Sequence, residues 1–210
     1  MESLALVLIT EIMYNPASDE RPPAQTEWVE IYNPGQATVS LEGWYLADED
    51  GQTAAIPVGV ELSPGEAAVL IPAAQSVEDF RAAWGGQFQV IPLEKWESLA
   101  NSPSPQNEVL TLRRSDDSVA DEVNFDDRAP WPKDTPQGPS IYLIPGAIDA
   151  AANDEGGNWR RSEAGVHGAY AATQTPEYSD RDIGSPGTVV TQDEAAEDGG
   201  QAAEGKKDKD

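Results

Sequence analysis

Short runs of Val, Ile, Leu and Trp alternate along the chain with turns rich in Pro and Gly, and within most runs apolar and polar positions alternate with a period of two. "LALVLITEIMY" at 4–14 predicts a first strand that ends at Asn15-Pro16, before a polar, Pro-rich loop. In "EWVEIYN" at 27–33, Val29 and Ile31 fall on one face and Trp28, Glu30 and Tyr32 on the other; Asn33-Pro34-Gly35 then turns the chain. "SLEGWYLADEDGQ" at 40–52 puts Trp44 and Leu46 on one face, with Asp50-Gly51 as a tight turn. "TAAIP" and the stretch 59–72 supply two more strands, joined as a hairpin through Ser63-Pro64-Gly65.

One helix interrupts this pattern. Ser76 can cap it, Asp79 stands three residues on as in a capping box, Val77, Phe80 and Trp84 share a face, and Gly85 stops it. After the loop "ESLANSPSPQNE", residues 109–125 predict a hairpin turning near Ser115 to Ser118, and Ser140 to Ile144 one further strand. From Gly146 to Gly187 periodicity fades, which predicts an irregular wrap pinned by Trp159 and Tyr170. The expected fold is all-β: an immunoglobulin-like β-sandwich with a short helical insert and an irregular C-terminal wrap, spanning 1–190. Residues 191–210 have almost nothing apolar to bury and are expected to form a disordered acidic tail.

This pattern gives the aromatic residues of 26–51 a place. Trp44 and Leu46, with Val29 and Ile31, are expected to line the inner faces of the sandwich. Trp28, Tyr32 and Tyr45 have the opposite parity, and the helical insert (76–85) and the C-terminal wrap are expected to cover them with Phe80, Trp84 and Trp159; left exposed together they would make an aromatic patch for a protein or carbohydrate contact.

Charge narrows the class of partner. The formal net charge is -25; seven acids and three lysines in 191–210 account for -4, leaving -21 on the rest. Such a surface repels phosphate backbones and anionic headgroups, so nucleic acid is not an expected partner, whereas cations and basic proteins are favoured. An acidic surface also serves solubility alone. With no cysteine there is no disulfide framework, thiolate zinc site or cysteine nucleophile. No stretch approaches the roughly 18 apolar residues of a membrane span. The start "MESLALVLITE" lacks a basic region and a cleavage site, so the signal of an exported parent would have been removed or would lie outside this chain.

The segments "LITEIMYNP", "EWVEIYNPG", "LEGWYLAD", "IPVGVELSPGEAAVLIP", "NEVLTLRRSDDSVADEVNF", "WPKDTPQGPSIYL", "NWRRS" and "GSPG" occur in the order seen in lamin tail domains, especially bacterial ones, which the chain resembles over roughly 5–187. The resemblance implies an immunoglobulin-like sandwich and a non-enzymatic interaction module, which in bacteria is an accessory domain of exported proteins, sometimes beside nucleases or other hydrolases. It thereby implies a protein partner and an extracellular or cell-surface location. No sustained heptads are present, so a filament-forming rod is not implied. The module is expected to be monomeric.

Candidate chemistry is sparse. His167, in "AGVHGAY", is the only histidine and lies outside any G-x-S-x-G or comparable nucleophile context, so it reads as a loop residue beside Gly168. No phosphate-binding glycine motif is present. Acids cluster in three turns where oxygen ligands could attract Ca²⁺: Asp48 and Asp50 in "DEDG", Asp116 and Asp117 in "RSDDSVADE", and Asp154 in "NDEGGN". None is a complete site. In "DEDG" the bidentate acid of a calcium loop would fall where Pro57 stands, and Asp in a turn ordinarily caps its own backbone. Two further readings remain: a metal- or carboxylate-dependent hydrolase, which requires a cleft with converging acids, and a calcium-stabilised segment of a surface protein.

Overall fold

The computed structural model describes residues 6–18, 27–48, 51–99, 108–173, 181–192 and 194. Two β-sheets face each other across an apolar core, as an immunoglobulin-like sandwich. The larger sheet has six strands, in the order β11 (Trp159–Arg161), β10 (Ile141–Leu143), β1 (Leu8–Met13), β2 (Trp28–Tyr32), β6 (Ala67–Pro72) and β7 (Gln89–Leu93). The smaller has β4 (Tyr45–Ala47), β8 (Glu108–Arg113) and β9 (Val119–Phe125). Two short pairs complete the strands: β3 (Val39–Ser40) with β5 (Glu61–Leu62), and β12 (Tyr170–Ala171) with β13 (Ile183–Gly184).

The core forms as the period-two pattern dictates. Val29 and Ile31 from the large sheet meet Leu46, Leu112 and Val123 from the small one, and Trp44 closes the layer. In β1 the pattern breaks: Ile9 pairs with Ile31 but Glu11 with Glu30, so Thr10 is the extra residue of a β-bulge. The bulge puts both Ile9 and Ile12 in the core and turns Thr10 and Glu11 together to the outer face.

That outer face has its own cover. Helix α1 (Val77–Trp84) carries the chain from β6 to its parallel neighbour β7. Ser76 caps it by accepting a hydrogen bond from Asp79 N at 3.0 Å, and Gly85, at φ 63°, ends it. Eight residues are too few for a helix to be stable alone, so packing holds it: Phe80, Ala83 and Trp84 bury Met13, Trp28, Val69 and Ile71. Trp28 meets Trp84 edge-on, with ring centroids 5.6 Å apart.

Several expectations need correction. The run 40–52 divides into β3, a turn and β4, which join different sheets, and "TAAIP" forms no strand. The turn Ser63-Pro64-Gly65 makes no hairpin: β5 pairs with β3 whereas β6 pairs with β2 and β7, so the turn passes the chain between layers. Strand β7 is additional to the strands read from the sequence; as an edge strand it tolerates the donor that Pro92 lacks. The C-terminal wrap contains β11, β12 and β13. Trp28 and Tyr32 are buried as expected, but Trp159 belongs to the main core, its ring centroid 5.8 Å from that of Trp131, and Tyr45 stays only half-buried, its hydroxyl donating to Asp117 Oδ1 at 2.9 Å. Apart from Thr191, Gln192 and Glu194, the expected tail lies outside the described residues.

Candidate functional site: three buried carboxylates

The chemistry-bearing groups of the fold are acids placed within strands. Because of the bulge at Thr10, Glu11 and Glu30 stand directly opposite each other on the outer face of the large sheet, each 1% exposed. Glu11 Oε1 accepts hydrogen bonds from Ser140 Oγ at 2.5 Å, Ser185 N at 2.9 Å and Ser162 Oγ at 3.2 Å, and Oε2 accepts from Ser185 Oγ at 2.6 Å. Glu30 accepts from Thr10 Oγ1 at 2.8 Å and from Gly187 N at 2.7 Å. Burial holds the Glu11 carboxyl above its ordinary value against these donors. Burial, and then the charge of Glu11, push Glu30 up to about 8. A pocket of about 10 Å³, room for one water, touches both acids together with Tyr142 and His167.

The third acid joins the two sheets. Asp121, on β9, points inward, and its Oδ2 accepts from Ile9 N and from Asn153 Nδ2, each at 2.7 Å. Strand β10 reaches only Glu11 and Ile12 of β1, so Ile9 lies beyond its pairing and Asp121 satisfies the amide instead. Burial is the main cause that raises Asp121 to about 7. Two further buried acids tie down loops. Glu27 accepts from Ser98 Oγ, Trp96 Nε1 and Leu99 N, and Asp182 from Ala17 N and Ser18 Oγ.

The acids singled out from the sequence do not converge. Asp48 Oδ1 accepts from Gly51 N at 2.8 Å; Asp116 Oδ1 accepts from Ser118 N and Oγ, which lowers its carboxyl below the ordinary value. Asp117, at φ 66°, holds the left-handed position of that turn. Asp154 is exposed, and its carboxyl is raised by desolvation and by Glu122 and Glu155; Asp50 lies outside the described residues. Among the described residues no three His, Cys, Asp or Glu come together as a metal site. His167 leaves its loop at φ 46° with Nδ1 3.1 Å from Tyr142 Oη. No helix among the described residues is long and apolar enough to cross a membrane.

Sequence reasoning missed the buried acids, although a signal was present. Glu11 in "LITEIM" and Glu30 in "WVEIY" are charges in the middle of strands whose burial patterns are unbroken. A wide hollow of about 800 Å³ opens to solvent between the 63–67 turn, Phe88 and Tyr170, and among the described residues lining it Glu66 is the only acid.

A family model described as Lamin Tail Domain matches residues 2–127, to just past the end of β9; strands β10 to β13, with Ser140, Ser162 and Ser185, lie beyond the match. No curated protein and no solved structure matches the chain.

Proposed function

Because the chain belongs to the lamin tail domain family, we propose that it is a non-catalytic interaction module that presents the open face of its smaller sheet to a protein partner. One observation carries this reading. The central strands β1, β2 and β6 of the large sheet are covered on both faces by the chain's own elements, whereas on the small sheet Tyr45, Arg113, Val119, Glu122 and Asn124 point outward and stay partly or fully exposed. The net charge favours a basic partner, whose association would be steered electrostatically and weakened by salt. The family resemblance supports use by a bacterial protein outside the cell or at its surface, and the module is proposed to act as a monomer.

The hydrolase reading has less support. Glu11, Glu30 and Asp121 are turned into the protein and engaged by its own donors, and the wide hollow brings no pair of acids together. The test is turnover of ester, phosphodiester and glycoside substrates by the wild type and by Glu11→Gln, Glu30→Gln and Asp121→Asn. All four are expected to give the same background; a rate abolished by one of these isosteric changes in a folded protein would overturn the reading.

A further inference from the structure

A strap at 183–188 closes the outer face over the two glutamates. A Cβ on Gly184 would stand 2.8 Å from the Trp28 ring and 3.0 Å from Glu11 Oε1, so only a residue without a side chain lets the strap lie this close. The next residues bond to the acids through Ser185 N, Ser185 Oγ and Gly187 N. Ser185 and Thr188 also wall the one-water pocket beside the acids.

We propose that Glu11 and Glu30 form a proton-carrying latch: with one proton bound by the pair the strap stays seated, and loss of that proton loosens it. The geometry makes a second charge costly. The two carboxyls face each other across adjacent strands, and like charges placed directly opposite are destabilising. All their hydrogen-bond donors are hydroxyls or backbone amides; no lysine or arginine contributes. The titratable groups nearest them are Tyr32 on β2, Tyr142 on β10, His167 after β11 and Tyr170 on β12, with Glu194 acting on Tyr32 and Glu163 on Tyr142. Arg160 acts on Tyr142. A doubly charged pair therefore needs water, and one water is all the pocket admits while the strap is down.

The direction follows from linkage. Seating the strap raises proton affinity, so its contribution is complete below the ordinary glutamate value of about 4.5. It is lost progressively as pH rises and is gone once pH passes about 8. Acid tightens the latch.

Hydrogen exchange of the peptide covering 181–192, on the full chain and corrected for intrinsic exchange, tests this. Protection of the wild type is expected to fall by about tenfold per pH unit up to about pH 8 and then to level. The double variant Glu11→Gln, Glu30→Gln, a neutral copy of the protonated pair, is expected to remove that slope, and His167→Gln to keep it. A wild type without slope, a slope that survives in the double variant, or one that disappears in His167→Gln would overturn the proposal. Should the double variant fail to fold, carboxyl ¹³C titration of the wild type decides: at least one of the two resonances is expected to titrate above about pH 6.5, and both titrating in the ordinary glutamate range would overturn it.

Discussion

Asp121 offers the sharpest test of how the sheets are joined. Replacing it with alanine leaves Ile9 N and Asn153 Nδ2 without their 2.7 Å acceptor in a site that is 4% exposed. An unsatisfied buried donor costs about 1–3 kcal/mol, so two of them place the loss on the order of 4 kcal/mol. Asparagine differs in kind, because it mimics the protonated acid and keeps one oxygen for both donors. The wild-type carboxyl is raised to about 7, mainly by burial. Its contribution is complete below the ordinary aspartate value of about 3.8 and lost as pH climbs to about 7. At 1.36 kcal/mol per unit, the wild type gives up roughly 2–3 kcal/mol between pH 5 and 7 that Asp121→Asn does not. Urea unfolding of wild type, Asp121→Ala and Asp121→Asn at those two pH values measures both effects. Alanine costing less than about 1 kcal/mol, or asparagine running parallel to the wild type across pH, would refute the clasp.

Trp84→Ala should cost about 3–5 kcal/mol and release helix α1 from Trp28 and Val69, seen as lost near-ultraviolet dichroism and a lower urea midpoint. Ser76→Ala should cost about 1 kcal/mol, since it removes the acceptor of Asp79 N, and Ser76→Asp should restore most of it in the same unfolding experiment. Millimolar Ca²⁺ against EDTA at matched ionic strength should leave Tm unchanged, because Asp48 and Asp116 already bond their own turns. A rise of several degrees that Asp116→Asn removes would restore the calcium-stabilised reading.

What the sequence made legible was whatever its local periodicity encodes. The parity of Val29 and Ile31 against Trp28 and Tyr32 predicted two buried faces, and the Ser76 to Gly85 signals placed α1 to the residue. Pairing was not legible where it depends on distant segments: Ser63-Pro64-Gly65 has hairpin chemistry, yet the chain uses it to change sheets. The bulge at Thr10 was equally hidden, since the period shifts only when Glu11 is set against Glu30. The site escaped for the same reason. Glu11 draws its donors from Ser140, Ser162 and Ser185, more than a hundred residues away, so no spacing rule connects them. The acidic turns that spacing did suggest proved to be turn chemistry at Asp48 and Asp116.

The claim that the module works by contact through its small sheet is tested most directly by quantitative capture from an extract of the source organism. Wild type would be compared with a Tyr45→Ala, Glu122→Arg double variant whose urea midpoint matches it. Both side chains point outward and neither supports the core. The account predicts a basic partner held by the wild type, released by salt, and lost from the variant. Equal capture of that partner by both proteins would contradict it.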